Sequence, residues 1–281
     1  MARPAPRLQP QPRLPVAVAV SLAPALALFA AFWILPLAHL VLLGTEPDRN
    51  GASGYWTVLT SSAYLSGLVQ TTALAAITTV AALVIAGVAG CFLSRHRFMG
   101  RSVLVALLTF PLAFPGVVVG FLIILLGGRQ GLFASMGLAL TGDRWIFAYS
   151  LFGLFLGYLY FSIPRVILTV MAACETLDRT LEEAARSLGA SHWAVIRDVI
   201  VPGLAPALVS SGAICFATAM GAFGTAFTLG TKLSVTPIAI YDTFTNFANF
   251  AVAAALSVVL GVITWLALMA ARQFAGRTPR P

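Results

Sequence analysis

Charge is what this sequence has least of. Only 9% of its 281 residues are Asp, Glu, Lys or Arg, against about a quarter in an ordinary soluble domain. With 59% of residues hydrophobic, so little charge excludes a conventional water-soluble enzyme. The mean hydropathy of +0.94 equally excludes a disordered chain, which needs low hydrophobicity and high charge. Cysteine is scarce too. Cys91, Cys174 and Cys215 form no C-x-x-C pair, and His39, His96 and His192 lie far apart, so neither a disulfide framework nor a metal site is implied. No G-x-x-x-x-G-K-[ST] run is present, and the single lysine, Lys232, stands in no phosphate-binding context. Paired carboxylates and Ser/His/Asp or Cys/His sets are absent from the polar intervals. No catalytic residue and no cofactor of the chain's own are expected.

What the sequence does have is long apolar runs, at 16–43, 67–93, 102–127, 146–171, 207–230 and 248–271. Each is long enough to cross the roughly 30 Å hydrocarbon core as a helix of about 20 residues. The alternation of a membrane barrel is missing, and a backbone in lipid must satisfy its own hydrogen bonds, so six helices are expected. The first run is too long for the 7–15-residue apolar core of a secretory signal, and it reads as a retained helix.

The net charge of +8 does not imply nucleic-acid binding, because the basic residues are spread between the apolar runs rather than clustered on a solvated face. Their distribution instead sets orientation, since Lys and Arg are retained on the cytoplasmic side. With both termini inside, the cytoplasmic segments hold thirteen of the 17 basic residues, Arg165 among them. Only Arg49, Arg129, Arg144 and Lys232 fall outside. On this reading 1–15 and 273–281 are cytoplasmic tails, and no charge lies deep in a span. The external loops, 44–66, 128–145 and 231–247, carry turn formers such as Asp48–Gly51 and Thr141–Asp143. Tyr55, Trp56, Trp145 and Tyr241 suit the membrane interface.

The interval 172–206 is the longest on the inner side and carries most of the acids. Thr180 and Glu183 have the spacing of a capping box, so a short helix is expected from about Leu181 to a Gly189 cap. A second short helix, Ser191 to Val201, would end at Pro202. Glu183-Ala184-Ala185, three residues, Gly189, nine residues and Val199-Ile200-Val201-Pro202 resemble the EAA loop (EAA-x3-G-x9-I-x-L-P) of binding-protein-dependent ABC importer permeases. Val199 and Val201 are the departures. Gln70-Thr71-Thr72, Phe110-Pro111 with Phe114-Pro115-Gly116, and Gly221–Thr225 with Thr236-Pro237-Ile238 and Tyr241 extend the likeness over residues 65–272. The last group is similar to the branch that carries polyamines, ferric iron, thiosulfate and aminophosphonates.

The resemblance implies an all-α, six-span, type I (MetI-like) permease core at 65–272 preceded by a first span at 16–43, in the bacterial inner membrane. The partners it implies are an ATPase dimer, which binds ATP and Mg, a second permease subunit (a copy of this chain or a sister), an external solute-binding protein and the bilayer. Glu182, Glu183, Ala184, Ala185, Arg186, Gly189 and Pro202 are then the expected ATPase-docking residues, although Glu183 equally completes a cap. A polyamine or another small charged solute is expected by branch, with ferric iron, aminophosphonate or thiosulfate as alternatives. A stand-alone carrier or channel is the reading of another class, and it would usually bring intramembrane charge or internal repeats.

Two features leave alternatives open. Ser211, Thr218, Gly221, Thr225 and Thr228 fall on one face at a 3.6-residue period, and Thr71 and Thr78 sit similarly on the second span. Such residues either line a solute pathway or let helices pack closely. Pro111 and Pro115 would bend or break the third span, for gating or as an ordinary membrane-helix kink.

Overall fold

The computed structural model describes residues 16–230 and 233–277, with 16–21 and 274–277 as backbone alone. The expected tail 1–15, Lys232 and the residues after 277 lie outside the described residues. Six helical stretches are long and apolar enough to cross a membrane: Leu22–Leu43, Ser62–Arg95, Gly116–Thr141, Leu151–Thr176, His192–Met220 and Phe250–Gln273. The described residues contain no strand beyond an isolated bridge between Pro47 and Ser53. The last helix runs to Arg277, so 273–277 continues a span instead of forming a tail.

The second and fourth spans pack along much of their length. Small residues make this possible. Ala82 and Ala86 are fully buried, and Gly90, one further turn along, has Val170 and the Ile167 carbonyl at 3.0–3.1 Å from where a Cβ would stand. In a bilayer, where lipid tails compete equally for apolar contact, such close approach is the main source of helix association. The same end of this pair brings the Cys91 and Cys174 thiols to 3.1 Å, a proximity that their sequence separation gave no reason to expect.

The third span, 102–127, is broken where its prolines suggest. Helix Arg101–Thr109 tightens into a 3-10 turn, Phe110–Ala113, and stops; Phe114 is extended, and helix resumes over Gly116–Gly127 with Pro115 as its N-cap. Pro115 supplies the reason, because it lacks an N–H and disfavours α geometry at the residue before it. Twelve residues rise only about 18 Å, so Gly116–Gly127 alone is shorter than the hydrocarbon core and reaches spanning length only together with its flanking apolar helices, Arg101–Ala113 and Leu132–Thr141. Beyond it, 128–145 is not all loop: Leu132–Thr141 is helical, and the chain returns so that the Phe147 and Ala148 amides both reach the Gly127 carbonyl at 2.9 and 3.0 Å.

The fifth span differs from the sequence reading. Pro202 does not end a short helix. A five-residue π turn, Ile196–Ile200, precedes it, the Val201 amide bonds to the Ile196 carbonyl, and helix continues to Met220. The wider turn accommodates the donor that Pro202 lacks. The helix then breaks at Gly221–Ala222, and a separate short helix, Phe223–Leu229, follows.

In the first loop, Asp48 accepts from the Asn50 and Ala52 amides and Gly51 takes φ +81°, giving the turn its residues suggest. Trp56 and Trp145 are exposed, but Tyr55 donates to the Val41 carbonyl and Tyr241 packs on Phe223 and Phe227.

Gly120 faces Thr228, whose Cβ would stand 2.5 Å from an added methyl, whereas an added methyl at Gly87 would meet only Leu208 at 3.8 Å. Gly120→Val should therefore cost about 1–3 kcal/mol by overpacking, read as a lowered unfolding midpoint of the detergent-solubilised protein. Gly87→Ala should leave that midpoint unchanged.

Candidate functional site: a cleft between two broken helices

The two helix breaks meet. Pro111, Leu112, Phe114, Gly116 and Val117 from the third span face Gly221, Ala222, Gly224 and Thr225 across a cleft of about 340 Å³, closed by Phe161, Arg165 and Thr218. Thr225 donates to the Gly116 carbonyl at 3.0 Å and Tyr158 to the Ala222 carbonyl at 3.0 Å, so side chains of neighbouring helices tie down the start of each resumed helix. Irregular backbone at membrane depth is tolerated only where protein covers it or it lines a cavity; both conditions hold here. Small residues again permit the approach. Added methyls at Gly116, Gly224 and Gly157 would meet Thr225 Oγ1 at 3.1 Å, the Val117 amide at 3.1 Å and Thr225 Cγ2 at 2.7 Å.

Arg165 is the side chain that the sequence reading misplaced. It lies well inside helix Leu151–Thr176, roughly 21 Å from its start and 16 Å from its end at 1.5 Å per residue. Its Nη1 donates to Thr218 Oγ1 at 2.8 Å, and the Thr218 hydroxyl itself donates to the Ile214 carbonyl at 2.7 Å. Threonine is thereby oriented as an acceptor, and it holds the guanidinium at the wall. No carboxylate lines the cleft. Arginine stays protonated in proteins and carries five N–H donors, so the cleft presents a positive charge with donors to spare. The expectation of spans without deep charge is corrected at this residue.

The stripe of small and hydroxyl residues divides. Because the helix ends at Met220, it does not run on one face from Ser211 to Thr228. Thr218, Gly221 and Thr225 line the cleft, and Thr225 also packs against Gly157. Thr228 bonds to the Gly224 carbonyl and abuts Gly120, while Ser211 is buried and bonds to the Leu208 carbonyl. Thr71 accepts from the Thr236 amide at 2.8 Å and fixes the chain within the 231–247 interval. Thr78 is fully buried and its hydroxyl has no partner among the described residues. Pro111 lines the cleft; Pro115 caps the helix beside it.

At one end of the bundle, the 172–206 interval forms a short helix, Arg179–Ser187, that begins earlier than expected. Asp178, not Thr180, is its cap: the Thr180 amide donates to Asp178 Oδ1 at 2.9 Å, a bond that holds the Asp178 carboxyl below its usual range. The capping box with Glu183 is not formed. The other end follows the sequence. Gly189 takes φ +86°, its amide reaches the Arg186 carbonyl and the Ala190 amide reaches the Ala185 carbonyl, the paired bonds of a Schellman motif.

Glu182 and Glu183 have different surroundings. Glu182 is only 6% exposed and grips Arg95 of the second span with both oxygens, Arg95 Nη1 to Oε2 at 2.7 Å. Its place among outward-facing residues is therefore corrected. Glu183, Ala184 and Arg186 are exposed, Ala185 is half-buried and Pro202 is exposed within the long fifth helix. The sequence reading passed over Leu188, 89% exposed beside the Gly189 cap, and Trp193, 70% exposed. Large apolar side chains at the tip of a charged loop were the available signal.

A helical membrane core with discontinuous spans around a charged cleft, and a small helix held rigidly at one end, defines a membrane transport component. The comparisons say which. Residues 82–275 match the model of the family described as "Binding-protein-dependent transport system inner membrane component", and the chain belongs to that family. It is 30% identical over 249 residues to the Sulfate transport system permease protein CysT of Escherichia coli (strain K12), covering 86% of each chain. It is 30% identical over 211 residues to the Probable molybdenum ABC transporter permease protein HVO_B0370 of Haloferax volcanii, 75% of this chain and 76% of that one. A crystal structure of a bacterial ABC transporter involved in import of the acidic polysaccharide alginate superposes with a TM-score of 0.76 at 16% identity, over 94% of this chain and 96% of that one. The chain is thus a multi-pass inner-membrane permease subunit of an ABC importer, a transport component and not an enzyme.

The Arg95 guanidinium, by hydrogen bond and charge, holds the Glu182 carboxyl below the ordinary glutamate value of 4.5. A carboxylate depressed by folding contributes stability above the unfolded pKa and loses it as pH falls through the folded one. The loop helix should therefore be anchored at neutral pH and loosen only below about pH 4.5. Glu182→Gln should loosen it at neutral pH, with amide exchange across 179–187 roughly tenfold faster while exchange in the spans is unchanged.

Proposed function

We propose that this chain is the permease subunit of an importer of small oxyanions of the sulfate or molybdate kind. The observation that carries this reading is Arg165, a guanidinium without a carboxylate partner in the cleft between the two broken helices. Discontinuous helices around a mid-membrane site are how many transporters meet a charged solute, and an ionisable residue inside the membrane is by default functional. Permeases similar to this chain are named for sulfate and molybdenum. A polyamine is a polycation and would be repelled by Arg165, so the polyamine reading is set aside. Ferric iron as a bare cation fails on the same ground. Thiosulfate and an aminophosphonate share the oxyanion chemistry.

In this reading the end bearing the loop helix faces the cytoplasm, in keeping with Arg95, Arg97, Arg101, Arg179, Arg186 and Arg197 at that end. An external binding protein delivers the anion, and the cleft becomes part of a pathway shared with a second permease subunit. An ATPase pair, which holds ATP and Mg, docks on the face formed by Glu183, Ala184, Ser187 and Leu188. Gly189 closes that helix, and Arg95–Glu182 transmits its movement to the second span as a rigid lever.

Uptake of radiolabelled sulfate and molybdate by cells carrying the whole transport system tests the solute. Losing a charge-assisted hydrogen bond of about 1.5–3 kcal/mol, Arg165→Gln should lower uptake roughly 10- to 100-fold with ATPase co-purification intact. Arg165→Lys should retain part of it. Unchanged oxyanion uptake in the glutamine variant would overturn the assignment. The docking face has its own test: Leu188→Asp should abolish ATPase co-purification without affecting membrane insertion, since a buried apolar anchor of an interface is worth about 2 kcal/mol or more.

A further inference from the structure

A second, larger cleft of about 610 Å³ opens at the end of the bundle that carries the loop helix, lined by Ser94, Arg95, Arg97, Arg101, Cys174, Glu175 and Arg179. It has no part in the solute pathway argued above. Its four guanidinium groups come from four places in the chain: Arg95 at the end of the second span, Arg97 in the connection after it, Arg101 at the start of the broken third span and Arg179 in the first turn of the loop helix. Arg95 is neutralised by Glu182. Arg101 gives its Nε to the Leu93 carbonyl at 2.6 Å and stands 3.8 Å from the exposed Glu175 carboxylate. Neither Arg97 nor Arg179 has an ion-pair partner among the described residues. Four cations against two carboxylates leave a surplus of two positive charges converging on one hollow. Arg179 is also the first residue of its helix, the end at which the peptide dipole disfavours a cation.

The surroundings indicate which anion fits. Phe98, Met99, Val103 and Leu107, interleaved in sequence with Arg97 and Arg101, are exposed apolar side chains. A free inorganic anion has no use for such a shoulder, whereas a lipid has a charged head and an apolar body. Basic hollows between the ends of membrane helices are suited to anionic headgroups, each nearby Lys or Arg adding to the attraction. We infer that this cleft binds the phosphodiester headgroup of an anionic phospholipid, with its acyl chains laid along Phe98, Met99, Val103 and Leu107. Arg179 belongs to the loop helix and Arg95 grips Glu182 on that helix, so the bound headgroup steadies the element that docks the ATPase. The lipid is thereby a structural partner of coupling, independent of which solute is carried.

The test uses the permease co-purified with its ATPase and reconstituted in phosphatidylcholine with or without phosphatidylglycerol. Native mass spectrometry reads the phosphatidylglycerol retained. The triple variant Arg97→Gln, Arg101→Gln, Arg179→Gln, which leaves the Arg95–Glu182 pair in place, should bind phosphatidylglycerol roughly a hundredfold more weakly. The corresponding triple lysine variant should keep most of the binding. If the glutamine variant fails to assemble, a salt titration of the unsubstituted complex decides: retention that falls with ionic strength supports the site, and salt-insensitive retention overturns it. Unchanged retention in an assembled glutamine variant also overturns it. Millimolar inorganic phosphate that displaces the lipid from the unsubstituted complex assigns the cleft to a free oxyanion and overturns the lipid assignment.

Discussion

Every peptide group in the hydrocarbon layer must find its hydrogen bond inside the protein, and the architecture of this chain follows from that requirement. An unsatisfied backbone group costs several kcal/mol in lipid, so most of the chain is helix. Where helix stops within a span, something else must answer. Side chains from neighbouring helices reach both breaks: the Thr225 hydroxyl donates to the Gly116 carbonyl and the Tyr158 hydroxyl to the Ala222 carbonyl, each at the start of the resumed helix. The third, fourth and fifth spans are thereby tied together at the place where the backbone is irregular. At Pro202 and Pro36 the chain solves the same problem differently, with a π turn just upstream that lets the helix continue.

Close packing is the second half of that solution. Gly116, Gly120, Gly157 and Gly224 have no room for a side chain against Thr225, Thr228 or Val117, so the broken segments approach to backbone distance. That approach both excludes lipid from the breaks and leaves a cleft of defined shape beside them. Arg165 can exist there because Thr218 accepts from it and because the cleft separates its charge from hydrocarbon. The fold divides the threonine stripe among its members: Ser211 and Thr228 pack, Thr218 and Gly221 face the cleft, and Thr225 does both.

Much of this was legible in the residues. The six spans, the Gly189 cap and the fixed offsets of the EAA signature depend on local pattern, and local pattern survives in sequence. What was not legible depends on where helices meet. A hydropathy window sees Arg165 as one charge near the end of the apolar run 146–171. Only the true extent of the helix, to Thr176, puts the residue inside it, and only the fifth span's position gives it Thr218. Likewise Glu182 and Glu183 are neighbours with the same chemistry. Which of them turns inward is decided by Arg95, 87 positions earlier. Proline alone does not decide: Pro115 breaks the third span as its sequence suggests, whereas Pro202 does not end its helix, because the outcome depends on the neighbours available to satisfy the freed carbonyl.

The scarcity of charge acquires a different meaning once the chain is folded. Arg95 fastens the loop helix to the second span through Glu182, and Arg165 charges the cleft between the broken helices. Both act by occupying positions where a charge is costly, and both are held by a single well-aimed partner. In water the Arg95–Glu182 pair would add little, because exposed ion pairs are screened. With Glu182 buried it fixes the loop helix, since the alternative is an unpaired charge in a poorly solvated place, while Arg165, with no carboxylate beside it, is held by the neutral Thr218 hydroxyl. A chain that can hold few charges therefore concentrates mechanical and electrostatic roles in those it keeps, and the two roles fall on separate arginines at different depths.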